Sequence, residues 1–162
     1  MAHYTELANV SSKPIIIYDI PGRSVIGMTD ETMAKLAKHE LIVGVKDATA
    51  DLGRPTRLLN VINDKFIQLS GEDGTALPYL AAGGHGCISV TANIAPNLLS
   101  RMHNAWQQGD IQTAQDINQK LMPLHDALFC ETSPGPLKYA ASLLNICESD
   151  TRLPIVEIAS ES

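Results

Sequence analysis

Four short apolar segments that recur at similar intervals constrain the fold of this chain more than any other feature. They cover residues 14–18, 41–45, 66–69 and 87–90. The first two are continuously apolar and rich in β-branched residues, which is typical of parallel strands that are covered on both faces. The four segments therefore predict strands of a parallel sheet.

Helical patterns lie between these segments. Thr29 or Asp30 is placed to cap a helix that continues through Met33 and Leu36, and further helices are predicted over residues 55–62 and 74–80. Strand, helix and strand at this repeat indicate βαβ units. The intervals between the strand ends Tyr18, Lys46, Ser70 and Thr91 are 28, 24 and 21 residues.

The pattern changes after Thr91. Three helices are predicted over residues 96–108, 110–128 and 134–144, with no strand between them, and a short extended tail over residues 153–156. The predicted fold class is α/β, with residues 1–95 as four βα units and residues 96–162 as a C-terminal helical region. A doubly wound sheet could stop near this size, whereas a complete eightfold barrel needs ~250 residues, so the residues alone leave both architectures open.

Composition and charge exclude several classes of protein. The 162 residues are 44% hydrophobic and carry a formal net charge of −6, which is typical of one globular core. No basic cluster indicates nucleic-acid binding, and no apolar segment approaches the ~20 residues of a membrane helix. Cys87, Cys130 and Cys147 lie in aliphatic surroundings without metal-ligand spacing. We therefore expect a cytoplasmic protein with no nucleic-acid partner, no membrane partner and no metal.

Polar residues follow the predicted strands, at the ends where parallel α/β folds place their functional sites. Lys46 ends an otherwise apolar strand. Burial removes the hydration that favours an ammonium, and the neutral amine is a nucleophile toward carbonyls. A lysine here can also reach solvent at the sheet edge or pair with Asp47 or Glu72, and its position alone does not separate these interpretations.

Two further residues are candidates at the end of the first strand. Tyr18 could carry protons, or its hydroxyl could bond a backbone group in the core. Arg23 follows in a Pro-Gly-Arg turn, where its guanidinium could bind a carboxylate or phosphate or form a surface ion pair. The Gly83-Gly84-His85-Gly86 sequence precedes a strand rather than a helix, so it predicts a tight turn and not a phosphate site.

Taken together, five segments resemble the dihydrodipicolinate synthase family of pyruvate-dependent class I aldolases and lyases. They occur in the family's order and spacing and cover nearly the whole chain. The matching segments are IIIYDIPGR at 15–23, GVKDA at 44–48, LSGED at 69–73, GGHGCISVTAN at 83–93 and ETSPGPLK at 131–138. The resemblance implies strands five to eight of a (β/α)8 TIM barrel, followed by a helical C-terminal extension.

The resemblance also implies roles for individual residues. Lys46 would form a Schiff base with pyruvate, Tyr18 would relay protons, and Arg23 would hold the carboxylate of the second substrate. Gly71 and Ile88 match positions whose backbone carbonyls line the pyruvate pocket. No cofactor is implied beyond the covalent imine. The implied reaction condenses pyruvate with L-aspartate semialdehyde to 4-hydroxy-tetrahydrodipicolinate in lysine and diaminopimelate biosynthesis.

The four N-terminal βα units of the family are not matched, and they carry a Thr-Thr motif and a tyrosine that a neighbouring subunit donates. Asp19 also replaces the more usual Asn. Two alternatives therefore stay open: a truncated, inactive or structural half-barrel, and another pyruvate aldolase such as N-acetylneuraminate lyase, whose loop lacks the arginine found here. Expected partners are the two substrates and either a homo-oligomer, such as the family's tetramer, or a complementary N-terminal half.

A half-barrel would leave four inward side chains without a covering layer. Ile16, Val43, Ile67 and Ile88 are predicted on that face. Burying a side chain of this size contributes ~1.5–3 kcal/mol, so four uncovered ones forfeit on the order of 6–12 kcal/mol, which is comparable with the stability of a domain. We therefore expect that the chain is not a stable, active monomer by itself.

Overall fold

The structure is a computed structural model that describes residues 1–63 and 65–159. The chain forms two compact units, Met1–Ile88 and Ser89–Ser162. The division after residue 95, which the sequence suggests, stays a prediction.

The first unit alternates strands and helices. Its strands are β1 (Ile15–Asp19), β2 (Ile42–Asp47), β3 (Ile67–Ser70) and β4 (Gly86–Cys87), and its helices are α1 (Ala2–Val10), α2 (Pro21–Ser24), α3 (Asp30–Leu36), α4 (Arg54–Leu59) and α5 (Ala76–Ala81). The strands form one sheet in the order β1-β2-β3-β4, and every neighbouring pair is parallel. The prediction of a parallel α/β fold is confirmed.

Local chemistry sets where α3 begins. The Thr29 hydroxyl oxygen accepts a hydrogen bond from the Thr32 amide at 3.2 Å, which satisfies one of the unpaired amides of the first turn. Asp30 and Glu31 place negative charge in that turn, where the helix dipole favours it. Of the two caps that the sequence allowed, Thr29 is the one that the structure uses.

The fourth strand differs from the prediction over residues 87–90. β4 has only two residues. Gly86 pairs with Leu69 and Cys87 pairs with Ser70, and these partners are the last two residues of β3. One more backbone bond follows, from the Ile88 amide to the Ser70 carbonyl at 2.9 Å. At Val90 the backbone is already helical, with φ −73° and ψ −45°. The apolar composition of residues 87–90 does not show where β4 ends, because the register with β3 decides where it ends.

The two faces of the sheet have different surroundings. One face packs on the core of the unit, where Ile17, Val45 and Met33 are fully buried. On the other face, Ile16 is 41% exposed and Ile67 is 38% exposed. The first unit therefore has one covered and one uncovered sheet face.

Val43 was predicted on the uncovered face, but Gly44 takes the position opposite Ile16 there. The register of β1 with β2 shifts after Ile15, so Ile15 lies opposite Ile42 and Ile16 lies opposite Gly44. Val43 is half-buried and has no partner in that ladder. A Cβ at position 44 would lie 2.5 Å from the Ile67 carbonyl oxygen, so this close strand approach requires glycine.

The second unit is helical. It contains a short 3-10 helix (Thr91–Asn93), α6 (Pro96–Gln107), α7 (Ile111–Ala127) and α8 (Gly135–Leu143), which confirms the three predicted helices. Residues 153–156 were predicted to be extended, but residues 153 and 154 form a turn. Across residues 1–63 and 65–159, no helix has the length and apolar character that a membrane crossing would need.

Candidate active site

Lys46 and Tyr18 lie side by side at the carboxyl ends of β2 and β1. The register pairs these two residues directly, so both project from the uncovered face of the sheet. The Lys46 Nζ atom is 3.8 Å from the centroid of the Tyr18 ring. An ammonium at this distance is attracted to the face of an aromatic ring. The amine and the phenol are thus held together by neighbouring strands.

The structure does not favour the alternative in which Lys46 pairs with a carboxylate. Among the described residues, Lys46 forms no salt bridge with Asp47 or Glu72. Successive residues of a strand point to opposite faces, so Asp47 projects away from Lys46 into the core. There its carboxylate accepts hydrogen bonds from the amide and hydroxyl of Thr49 at 3.0 and 2.7 Å.

Gly71 borders the aliphatic stem of Lys46. A Cβ at position 71 would lie 2.9 Å from the Ala48 Cβ and 3.2 Å from the Lys46 Cε. The Gly71 amide also donates to the Asp47 carbonyl at 2.6 Å, which extends the contact between β2 and β3. A larger residue would therefore displace the lysine side chain or separate the strand ends.

Ile88 lies one residue beyond β4, at the same end of the sheet. Its amide is bonded to Ser70 and its side chain is 44% exposed. Since Gly71 directly follows Ser70, the structure brings Ile88 and Gly71 to neighbouring strand ends. The pocket-lining roles of their carbonyl groups stay predictions.

Arg23 lies on α2, which begins two residues after β1 ends. Pro21 occupies the first turn of this short helix, and the helix closes at Val25 with a left-handed φ of 67°. A β-branched residue in that conformation is an outlier, because its side chain crowds the backbone. The Arg23 residue is exposed. Its convergence with Lys46 and Tyr18 on one cavity stays a prediction.

Burial shapes the titration of the groups around Lys46. Desolvation raises the pKa of the half-buried Glu72 carboxyl, the negative charge of Asp73 raises it further, and the positive charge of Lys46 lowers it. Desolvation also raises the pKa of the Cys87 thiol to about 12, so this cysteine stays protonated and unreactive at neutral pH. No group of three His, Cys, Asp or Glu side chains in the described parts of the chain could bind a metal ion.

One buried residue at this end of the sheet was not predicted from the sequence. Arg54, the first residue of α4, lies against Asp19 and Asp47, which end β1 and β2. Two carboxylates at matching strand ends are costly to bury without a cation. The adjacent positions of Asp19 and Asp47 in the predicted strands could have indicated that such a cation was needed.

The whole chain matches one protein family. Residues 1–162 match the dihydrodipicolinate synthetase family. The chain belongs to this family. The five segments with which the sequence resembles the family lie within the matched region, so that resemblance is confirmed.

Similarity to curated members of the family is high over about half of their length. The chain is 59% identical over 155 residues to the 4-hydroxy-tetrahydrodipicolinate synthase of Rhodospirillum centenum, covering 96% of this chain and 53% of that protein. It is 54% identical over 161 residues to the synthase of Gluconacetobacter diazotrophicus, covering 99% of this chain and 54% of that protein. The chain thus spans about half the length of the curated relatives that it matches.

Solved structures of the family have the same fold over the matched region. Dihydrodipicolinate synthase from Aquifex aeolicus is 37% identical and aligns with a TM-score of 0.95, covering 98% of this chain and 55% of that one. The enzyme from Acinetobacter baumannii, solved in complex with pyruvate, is 38% identical and aligns with a TM-score of 0.93, covering 99% of this chain and 55% of that one. Family membership and the parallel α/β fold therefore agree.

Proposed function

We propose that this chain carries the Schiff-base half of a lyase that condenses pyruvate with L-aspartate semialdehyde to give 4-hydroxy-tetrahydrodipicolinate. The contact between the Lys46 amine and the Tyr18 ring, at adjoining strand ends, is the observation that carries the proposal. The names of the two curated relatives support the choice of reaction. In this proposal the protein acts in lysine and diaminopimelate biosynthesis in the cytoplasm.

The proposed chemistry begins when the Lys46 ammonium loses a proton to solvent. Its amine adds to the ketone carbon of pyruvate, and loss of water gives an iminium ion. The iminium accepts the electron pair when a proton leaves the pyruvate methyl group, so an enamine forms and no organic cofactor is needed. The enamine carbon then bonds to the aldehyde carbon of the second substrate, the aldehyde oxygen takes a proton carried by Tyr18, and the iminium re-forms. The amino group of aspartate semialdehyde then adds to the iminium carbon, which closes the ring and releases the Lys46 amine.

Arg23 would select the second substrate. A guanidinium can form two parallel hydrogen bonds with a carboxylate, which gives orientation as well as affinity. Aspartate semialdehyde carries such a carboxylate. Arg23 is exposed on the loop that follows Tyr18. Its presence favours this substrate over N-acetylmannosamine, the aldehyde of the alternative lyase reaction, which carries no carboxylate.

We further propose that β1 to β4 are strands five to eight of a (β/α)8 barrel, followed by a helical extension, and that turnover requires four more βα units. The alignment of this chain with 55% of the Aquifex aeolicus enzyme supports the proposal that it forms part of a larger barrel. The uncovered face supports it too, because it carries Tyr18 and Lys46 together with exposed Ile16 and Ile67. The missing layer would come from a complementary N-terminal half or from another copy in a homo-oligomer.

Reductive trapping tests the proposal directly. When the chain is incubated with pyruvate and borohydride, we expect one reduced pyruvate to be attached to Lys46, as located by peptide mass. Lys46→Ala should abolish trapping. Lys46→Arg should abolish it too, because a guanidinium keeps its charge and is not a nucleophile at neutral pH. Lys38→Ala, an exposed lysine of the same unit, is the matched control and should trap normally.

Two results would contradict the proposal. Unmodified Lys46 in folded protein would exclude the Schiff-base role. Trapping at Lys46 without turnover, in the chain mixed with a complementary half, would favour a structural fragment. Product assays with aspartate semialdehyde and with N-acetylmannosamine separate the two lyase reactions.

A further inference from the structure

Arg54 is a buried cation on the core side of the sheet, at the carboxyl ends of β1 and β2. Its side chain is 3% exposed, and its Nη1 atom lies 2.7 Å from Asp19 Oδ2 and 3.5 Å from Asp47 Oδ1. The same guanidinium donates through Nη2 to the Met28 carbonyl at 2.9 Å and through Nε to Asp30 at 3.1 Å. One planar group therefore joins two strand ends and a loop.

The two carboxylates are placed directly after the candidate catalytic residues. Asp19 follows Tyr18, Asp47 follows Lys46, and the register pairs Asp19 with Asp47 as it pairs Tyr18 with Lys46. Because side chains alternate between the faces, Arg54 contacts the opposite side of the same two strand ends. Arg54 therefore bridges these two strand ends one residue beyond the contact between Lys46 and Tyr18.

Arg54 and Asp19 also close the loop that carries Arg23. Besides binding Arg54, the Asp19 carboxylate accepts from the Met28 amide at 3.3 and 3.2 Å. Arg54 binds the carbonyl of that residue, so both backbone polar groups of Met28 are held. Residues 20–27 thus leave β1 at Asp19 and return to the same carboxylate, with Arg23 in between.

We propose that Arg54 is a positioning residue for the site: it holds the Tyr18 and Lys46 strand ends in register and anchors the loop of Arg23. The relevance of this role to catalysis rests on the proposed function. An arginine suits the role better than a lysine, because its rigid, planar fork can bond several fixed acceptors at once. Through Asp19, Asp47 and Met28, Arg54 acts on all three candidate side chains without contacting substrate.

Arg57 on the same helix provides a matched control. It also bridges two carboxylates, with Nε 2.7 Å from Asp30 Oδ2 and Nη2 2.6 Å from Asp51 Oδ2. Its side chain is 51% exposed, however, and its salt bridges reach neither strand end. Removing Arg57 should therefore disturb a surface ion pair and leave the site in place.

The experiment compares folded Arg54→Lys, Asp19→Ala and Arg57→Met chains by two measurements that need no turnover. The first is the NMR chemical shift of the Lys46 ε-methylene, which the ring current of Tyr18 displaces; a Tyr18→Leu chain supplies the shift without the ring. The second is hydrogen exchange at the Met28 amide and across residues 20–28.

In Arg54→Lys and Asp19→Ala we expect the Lys46 shift to move toward its Tyr18→Leu value. Exchange at Met28 should rise by about tenfold or more, while amides in α6 and α7 keep their protection. Arg57→Met should match the wild type in both measurements. A uniform loss of stability would raise exchange everywhere and leave the Lys46 shift of the folded chain unchanged, so that result would overturn the proposal.

Asp19→Ala keeps the test decisive if Arg54→Lys does not fold. Removing Asp19 leaves Arg54 between Asp47 and Asp30, so the buried cation keeps two carboxylate partners. Because Asp19→Ala also removes the acceptor of the Met28 amide, only the Lys46 shift tests the role of Arg54 in this variant. A wild-type Lys46 shift in folded Asp19→Ala would also overturn the proposal.

Pyruvate trapping separates this inference from the proposed function. Failure to trap pyruvate on the wild-type chain would refute the Schiff-base role, while the Lys46 shift would still decide the positioning role. Equal trapping rates in wild-type and Arg54→Lys chains would instead refute the positioning role alone.

Discussion

Lys46 and Asp47 are neighbours in the chain, yet they take part in different chemistry because they project from opposite faces of β2. Lys46 meets the Tyr18 ring on the uncovered face, and Asp47 lies on the core side with Arg54. The alternation of a strand thus separates a nucleophile from an acid one residue away. At this scale, the face from which a side chain projects decides its partners.

The burial of Glu72 can be tested through the pH dependence of the stability of the chain. Burial raises the pKa of its carboxyl above the ordinary value of 4.5. As the pH rises above 4.5, the unfolded chain releases this proton first, so the free energy of unfolding falls until the folded-state carboxyl has also ionised. We expect Glu72→Gln to remove this loss, so that the variant gains stability relative to wild type as the pH rises toward 7 in denaturant titrations.

Glu31 is the comparison of opposite sign. Hydrogen bonds from its own backbone amide and from Thr29 lower the pKa of its carboxyl. Its contribution is present at neutral pH and is lost as the pH falls through the lowered pKa. Glu31→Gln should therefore lose stability relative to wild type as the pH rises. A Glu72→Gln chain that follows the same trend would show that burial does not control Glu72.

Among the elements, α3 shows how a local cap and a tertiary contact combine. The Thr29 cap starts the helix, and buried Met33 and Leu36 attach it to the core. We expect Thr29→Ala to lower the free energy of unfolding by about 1 kcal/mol, because an amide of the first turn loses its acceptor. Chemical denaturation measures this change.

Thr29→Ser, which retains a hydroxyl oxygen at the cap, is the control for that measurement and should remain close to wild type. Equal losses in the two variants would show that the side-chain methyl group, rather than the cap, is responsible.

For the molecule as a whole, the uncovered face of the sheet is the feature with the largest consequence. Ile16 and Ile17 are adjacent in β1, but Ile16 is 41% exposed and Ile17 is 0% exposed. Ile17→Ala should destabilise the chain by ~2–5 kcal/mol, since it opens a cavity in the core. Ile16→Ala should have a much smaller effect on the isolated chain.

The effect of Ile16→Ala should become larger when the uncovered face is occupied. If a complementary half or a second copy covers it, Ile16→Ala should weaken that association, as measured by sedimentation over a range of concentrations. A monomeric wild-type chain with full synthase turnover would contradict the proposal that this face needs a covering layer.

Much of the fold follows from the sequence alone. Apolar strands at intervals of 21 to 28 residues require crossover helices, so the parallel sheet was predictable. The family was predictable from the five segments that resemble it. The placement of Lys46 and Tyr18 at neighbouring strand ends was predictable for the same reason. Side chains that end adjacent parallel strands come to the same edge.

The tertiary structure decided what depends on register and on contacts between distant residues. The shift after Ile15 placed Gly44, and not Val43, opposite Ile16, and the register with β3 reduced β4 to two residues. Arg54 reaches Asp19 across 35 positions of the chain. Local sequence patterns do not identify the partners in such pairings, because several registers bury the same apolar residues and only packing of the whole unit selects one.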